Sequence, residues 1–462
     1  MQHIGIIGLA AMGSNLAKNF ASKGVTVSVY NRTFARTQSL TALNIPQIAG
    51  YSSLWSFVKS IPKPRTIILL VQAGFAVDDI IRQLYPLLDS GDTLVDMGKS
   101  YYKDTERRQQ QLTRGHVYDL QTILSTSAEM GDKSIHFVGC GISGGEMGAL
   151  HGPSLMPGGS PKIVDQLVPL LEKIAARDFA DKPCVTNVGL GGAGHFVKTV
   201  HNGIEYALMQ GIAEIYDILR HNDKTNFQIQ HIFSQLNTGQ LQSFLLDIVI
   251  DIIDTKIEDG KYLVDLVSDK AGSKGTGGWT MIASAEYAVP TPNIAAAVYA
   301  RMLSDGARTH SSVPTEPTSM PVDIEVLRSV LTHVFSTSFA QGFALITAAN
   351  TTHKWDILID EVARIWQGGC IIRCQMLNNP TPKSPSTLSV SDISAFALCF
   401  TYTPAVPKPV LSATKEYLLT QSASTLPTNL IQSMRDYFGA HTYLRTDTNS
   451  IQTGGWNSQE AL

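Results

Sequence analysis

The stretch HIGIIGLAAMGSNLAKNFASKGVTVSVY (3–30) decides the fold. A short apolar run (3–8) ends in glycine, residues 13–23 read as a helix, and VTVSVY (25–30) is a second β-rich run. Strand, helix and strand within so few residues imply a parallel pair joined by a crossover helix. Working outward, TIILLV (66–71), TLVDMG (93–98) and IHFVGCG (135–141) continue the theme. Continuous apolar strands between helices imply an α/β sheet covered on both faces, of Rossmann type. The turn itself is informative. Gly8 permits a tight turn, Gly13 lets helix and strand pack closely, and the amides at the helix start face a pyrophosphate. Ala10 replaces the middle glycine of the usual pattern, so the backbone approaches phosphates less closely, and a plain strand–helix turn is the competing reading. The end of the second strand sharpens the choice. Asn31, Arg32 and Thr33 stand about 20 residues on, where NAD-binding chains place an acidic residue for the ribose 2′-hydroxyl. An arginine there matches a 2′-phosphate in charge and fork geometry, which favours NADP over NAD. An idle surface arginine is the bland alternative.

Beyond about residue 190 the pattern changes. HFVKTVHNGIEYALMQGIAEIYDIL (195–219) is helical throughout, and helix-like stretches follow at 226–254, 292–303, 324–348 and 354–376. Pro/Ser-rich loops occupy 309–323 and 378–389, and the last 25 or so residues are polar and read as a tail. At about 150 residues per domain the length implies two or three domains. The division is 1–190 for a Rossmann-like nucleotide domain, 191–425 for a large all-α domain and 426–462 for a C-terminal tail.

Composition narrows the class. Of 462 residues, 44% are hydrophobic and 16% charged, which excludes a disordered chain, a coiled coil and a collagen-like fibre. The net charge of −3 gives no basic balance for nucleic acid, while a local cationic pocket for a small anion remains open. No 18-residue apolar run marks a membrane span. The N-terminus lacks a basic region before its apolar run, and the terminal QEAL is no targeting address. The five cysteines show no zinc spacing, so no metal site is expected. Cys370 and Cys374, four apart, are expected as reduced thiols on one helix face, in a reducing cytoplasm.

The segment Lys198-Thr-Val-His-Asn-Gly-Ile-Glu205 carries the chemistry. Seven residues of helix turn through about 700°, so Lys198 and Glu205 share a face, about 10.5 Å apart along the axis. His201 and Asn202 fall between them, and Phe196, Val197, Val200, Ile204, Ala207 and Leu208 surround them. Burial lowers a lysine pKa and raises a carboxyl pKa, supplying one base and one acid near neutrality. A solvated polar stripe is the bland alternative.

Taken together, these motifs resemble 6-phosphogluconate dehydrogenases over nearly the whole chain. The matching blocks are GLAAMG (8–13), YNRT (30–33), QAGFAVDD (72–79), GISGGEMGALHGPSLMPGG (141–159) and GAGHFVKTVHNGIEY (192–206). KGTGGWT (274–280), YAR (299–301), IWQGGCIIR (365–373) and RDYFGAHTY (435–443) complete them. The shorter β-hydroxyacid dehydrogenases share the first motifs but lack the long helical region and the tail. The resemblance implies NADP-dependent, metal-free oxidative decarboxylation of 6-phosphogluconate to ribulose 5-phosphate and CO2. It implies Lys198 as base and Glu205 as acid. Gly8, Ala10, Met12, Gly13, Asn31, Arg32, Thr33, Val71, Gln72, Ala73 and Lys99 would contact the cofactor. Ser143, Gly144 and Gly145 would cradle the carboxylate end of the substrate, with His201, Asn202 and Tyr206 lining the pocket. Lys274, Thr276 and Arg301 would hold its phosphate. Arg435 and His441 would reach the pocket of a second subunit, so a homodimer with shared sites is implied.

Five positions depart from the resembled pattern. Lys99 stands where the family has an asparagine touching both substrate and nicotinamide, and Met97 replaces a glycine beside it. Gln72 and Gly278 each replace a lysine, and Gln367 an arginine. An extra stretch lies at about 119–134. Lys99 could pair with the substrate carboxylate or swing to Glu146. That leaves a related sugar-acid dehydrogenase, or a non-catalytic NADP or sugar-phosphate binding protein, as alternatives.

Overall fold

The computed structural model describes residues 2–113, 133–306, 321–378 and 387–456. The 119–134 stretch and both Pro/Ser-rich loops lie mostly outside them. The α/β part runs β1 (His3–Ile7), α1 (Ala11–Ser22), β2 (Thr26–Tyr30), α2 (Phe34–Thr41), β3 (Ile48–Tyr51), α3 (Leu54–Lys59), β4 (Thr66–Leu69) and α4 (Phe75–Leu84). It continues with β5 (Thr93–Asp96), α5 (Tyr102–Thr113), β6 (His136–Ser143), α6 (Gly145–His151), β7 (Ser154–Gly158) and α7 (Pro161–Leu171). The sheet order is β3-β2-β1-β4-β5-β6-β7. Neighbours run parallel except β7, which is antiparallel to β6. Two apolar clusters cover its faces. The strands missing from the sequence reading are the two edges. β3 is four residues with a half-exposed pattern, and β7 carries Pro157, which only an edge or bulged strand accommodates.

The helical part comprises α8 (Ala193–His221), α9 (Asn226–Leu236), α10 (Phe244–Asp254), α11 (Thr276–Glu286) and α12 (Pro292–Asp305). It continues with α13 (Ile324–His353), α14 (Ile359–Ile365), α15 (Val390–Thr401) and α16 (Pro409–Ser422). A last helix, α17 (Thr428–Gly439), leads to the hairpin β8 (Tyr443–Leu444) and β9 (Ile451–Gln452). The stretch 226–254, expected as one helix, is two. Ser243 accepts the Leu246 N–H and starts α10 afresh. The stretch 354–376 is helical only over α14. It ends at Ile365, and after Trp366 and Gln367 the chain turns away through Gly368 and Gly369, the latter with φ +63°. Cys370 and Cys374 are therefore not on one helix face; the first lies in a turn and the second bridges to Ser243. Both are buried free thiols, like the other three.

α8 and α13 pack together at the centre of the largest apolar cluster. α13 is long and apolar enough to cross a membrane, yet most of it is buried among other helices. α8 also docks on the sheet. A Cβ on Gly141 of β6 would come within 2.5 Å of the Lys198 Cβ, and one on Gly194 within 2.2 Å of the Gly139 carbonyl. Side chains there would push the start of α8 off the sheet. This close approach puts Lys198 directly over the end of β6.

Candidate functional site

The β1–α1 turn has the geometry a pyrophosphate requires. Gly8 has φ +99°, and a Cβ on Gly13 would sit 1.8 Å from the Gly8 carbonyl. Ala10 caps α1 without any side-chain bond, so the first amides of the helix are left to an external acceptor. Asn31 accepts the Leu9 N–H at 2.9 Å through Oδ1 and donates to the Thr33 carbonyl at 3.0 Å, tying the ends of β1 and β2 together. Arg32 and Thr33 are exposed beyond β2. Beside them a cavity of about 380 Å³ is lined by Ala10, Ser14, Lys18 and Arg36, among others. Lys18 and Arg36 add two cations at this cavity that the sequence reading did not single out. Their signal was present: Lys18 is two turns into α1, and Arg36 lies one turn beyond Arg32 on α2. Val71, Gln72 and Ala73 form the loop between β4 and α4, adjacent to this turn through β1–β4 pairing.

Lys198 stands at the centre of a second cluster. It is buried, and its Nζ lies 3.1 Å from His201 Nδ1. Burial lowers the lysine pKa to about 8; Glu205 opposes that shift and the nearby Lys99 charge adds to it. Burial, with the charges of Lys198 and Lys99, also holds the His201 ring well below its ordinary value, so the ring is neutral. When Lys198 is protonated, its ammonium donates to Nδ1. The ring proton then sits on Nε2 and donates to Ser143 Oγ at 3.1 Å. Ser143 Oγ also accepts the Ile371 N–H at 3.4 Å, which leaves its own hydroxyl proton for a ligand. Asn202 Nδ2 is buried without a partner, a donor free for the same ligand. Glu205 Oε2 lies 3.8 Å from His201 Nδ1, a contact with a neutral ring rather than an ion pair. Its side chain keeps 23% exposure, so the burial expected of both ends of this stripe holds fully only at Lys198. Gly144 and Gly145 follow Ser143 at the start of α6.

Tyr206, on the same helix, opens the third cluster. The Arg301 guanidinium stacks 3.6 Å over its ring, and its hydroxyl bonds Ser273 Oγ at 3.1 Å. Lys274 is exposed next to Ser273, and Thr276 is buried at the start of α11. Arg301, Tyr206 and Ser273 thus meet beside Glu205, with Lys274 and Thr276 one and three residues beyond Ser273 in the chain.

Arg435 and His441 are not brought to these clusters. Both are exposed on α17 and its hairpin; Arg435 bonds only Gln432, at 2.9 Å, among the described residues. The tail is no loose strand. Asp436 accepts from Thr442 N, Thr453 Oγ1, Gly454 N and Trp456 Nε1, at 2.7–2.8 Å. This knots helix and hairpin into one unit.

The departures divide. Met97 is buried beneath the sheet and Gln367 is absorbed by bonds to Leu377 and Phe179, whereas Gln72 is exposed and the space at Gly278 is open. Lys99 is exposed after β5, and no ion pair joins it to Glu146 among the described residues; its charge is felt at Lys198 instead. The segment 366–371 belongs to the site although the sequence reading gave it no role. The Trp366 ring meets His201 edge-on at 5.5 Å, and Ile371 bonds Ser143.

Two family profiles match the chain. The one described as the NAD binding domain of 6-phosphogluconate dehydrogenase covers residues 3–189, and that of the 6-phosphogluconate dehydrogenase C-terminal domain covers 194–456. A decarboxylating 6-phosphogluconate dehydrogenase of Klebsiella pneumoniae is 40% identical over 481 residues, spanning 98% of this chain and 99% of the relative. The NADP(+)-dependent, decarboxylating 6-phosphogluconate dehydrogenase of Bacillus subtilis (strain 168) is 40% identical over 483 residues, with the same coverage. Among solved structures, the 6-phosphogluconate dehydrogenase of Plasmodium falciparum, determined apo, with NADP+ and with 6-phosphogluconate, aligns with a TM-score of 0.82. It is 33% identical and covers 98% of this chain and 100% of its own.

Proposed function

This chain belongs to the 6-phosphogluconate dehydrogenase family, and from that premise we propose that it oxidatively decarboxylates 6-phosphogluconate with NADP, giving ribulose 5-phosphate, CO2 and NADPH. The observation that carries the reading is the buried Lys198 amine, bonded to a neutral His201 and with its pKa brought down to about 8. As the neutral amine, Lys198 takes the proton of the C3 hydroxyl while the hydride leaves C3 for the nicotinamide. The resulting ammonium polarises the C3 carbonyl, and the β-keto acid loses CO2 without a metal. Glu205 then protonates C1 of the enediol. Ser143 and Asn202 offer their free donors to the substrate. Tyr206, Lys274, Thr276 and Arg301 take its phosphate, where charge-assisted bonds are strongest.

The division at 190 and 425 belongs to the same proposal: cofactor on the first part, substrate on the second, partner contact on the third. Support for a homodimer comes from α17, whose Leu430, Ile431, Met434, Tyr437 and Phe438 are each at least half exposed. Among the described residues, the helix packs chiefly on its own hairpin. An apolar face of that size marks an interaction surface, and a second copy of the chain is the occupant that puts Arg435 and His441 to use. Five buried free thiols fit a reducing compartment, here the cytoplasm.

The test is NADPH formation by absorbance from 6-phosphogluconate and NADP, beside a Lys99→Asn variant. Strong wild-type turnover is expected. No wild-type signal, with activity restored by asparagine, would transfer the reading to another sugar acid, the alternative that Lys99 favours.

Two further outcomes follow from the geometry. With Lys198 as base, kcat/KM rises with pH through about 8 and levels off above it. Because Lys99 lowers the Lys198 pKa, Lys99→Asn moves that limb to higher pH. A limb unmoved in the variant would separate Lys99 from the base. Arg32→Ala weakens NADP binding about 10–100-fold and NAD binding less than about threefold, the loss of charge-assisted bonds to one phosphate. Equal weakening of both would remove Arg32 from the 2′-phosphate.

A further inference from the structure

Two loops leave the C-terminal ends of the adjacent parallel strands β4 and β5. One, 71–74, leads into α4; the other, 97–100, carries Lys99. A single side chain from α5 holds both. Arg108 is only 1% exposed. Its Nε donates to Asp78 Oδ1 at 2.8 Å, and its Nη2 donates to Asp78 Oδ2 and to the Gly74 carbonyl, both at 3.1 Å. Its Nη1 donates to Ser100 Oγ at 3.4 Å and lies 3.6 Å from Asp96 Oδ2. Asp96 is fully buried and shapes the second loop, accepting the Gly98 N–H at 2.9 Å and the Ser100 hydroxyl at 2.6 Å.

A guanidinium is planar and its donors keep fixed directions, so its two ends cannot be served independently. A shift of one loop must drag the other or break buried charge-assisted bonds. We propose that Arg108 is a positioning residue that sets the spacing between the loop beside the cofactor turn and the loop that presents Lys99 to Lys198. What the loops bind rests on the reading above; the clamp itself rests on the bonds just given. Hydride transfer depends steeply on donor–acceptor placement, and a misplacement of about 1 Å can cost about 100-fold. Arg108 therefore acts on kcat more than on binding.

The test uses the full-length chain with Arg108→Lys, which keeps the charge but loses the fork. Ser100→Ala is the milder companion, because it cuts only the Lys99 side of the clamp. Rates are normalised to active sites by NADPH titration. In both variants kcat falls about 10–100-fold while KM for NADP and for 6-phosphogluconate each change less than about threefold. The primary isotope effect with substrate deuterated at C3 rises. An unchanged kcat per active site, or a loss confined to KM, would overturn the clamp. Amide exchange over 97–101 decides independently of turnover: NADP slows it in the wild type and fails to in Arg108→Lys. Slowing retained in the variant also overturns the clamp, whereas a wild type that forms no NADPH overturns only the reaction.

Discussion

Lys198→Met forms NADPH about 10³–10⁴-fold more slowly than the wild type and binds NADP within about threefold of it, the signature of a lost general base. Methionine suits the test because it fills nearly the same buried volume without a charge. The surroundings need no lysine to stay folded: Phe196, Val197 and Val200 are fully buried on the same helix, and α8 is seated by the close approach at Gly141 and Gly194. The proposed contacts to the cofactor phosphates lie in the β1–α1 turn and at the end of β2, which share no residue with the Lys198–His201–Ser143 cluster. The one partner disturbed is His201, which loses the Nζ donor at Nδ1 but keeps Ser143 at Nε2. A loss of NADP affinity in step with activity would therefore point to misfolding, and substantial remaining activity would move the base elsewhere. His201 is the nearest alternative. Burial holds its ring pKa well below the ordinary value, which disfavours it as the group that takes up charge, and a His201→Asn control separates the two.

What could be read from the sequence, and what could not, follows from where each signal is stored. The β1–α1–β2 unit is local: periodicity, Gly8 and Gly13 and the residues after β2 all lie within three dozen positions. The Lys198–Glu205 face is equally local, because helix geometry alone aligns it. Arg108 was invisible by contrast. It sits in a polar helix among other charges, and only the folding of β4 and β5 side by side brings Gly74, Asp78, Asp96 and Ser100 around it. The same holds for Trp366 and Ile371, which reach Ser143 and His201 across more than 150 residues of chain. Edge strands were missed because an edge needs neither continuous apolarity nor strict alternation, as Pro157 in β7 illustrates. The tail illustrates the opposite error. Its polar composition concealed a buried carboxylate, Asp436, that gathers four donors and gives it definite structure.

That structure sets up the second large effect. On the proposed shared-site dimer, Arg435→Ala lowers turnover about 100-fold although among the described residues Arg435 bonds only Gln432 of its own chain, because its loss would remove a charge-assisted contact to the partner subunit. The decisive form of the experiment mixes two dead proteins. Lys198→Met and Arg435→Ala chains, carrying different tags and produced together, yield mixed dimers. In these, one site combines an intact Lys198 with the intact tail of the other subunit. If half of the dimers are mixed and each has one such site, about a quarter of wild-type activity returns, all of it in the doubly tagged fraction. Sites built within single chains give a different result, since each inactive chain would keep its defect and the mixture would remain inactive. The exposed apolar face of α17 makes the same demand from the side of stability. Leu430, Met434 and Phe438 lie along one helix and are each at least half exposed among the described residues. Covering that face removes apolar surface from water, the non-directional part of the association energy. In the proposed dimer Arg435 and His441, on the unit knotted by Asp436, would supply the directional part. A tail that merely decorated the surface would have no reason to combine both.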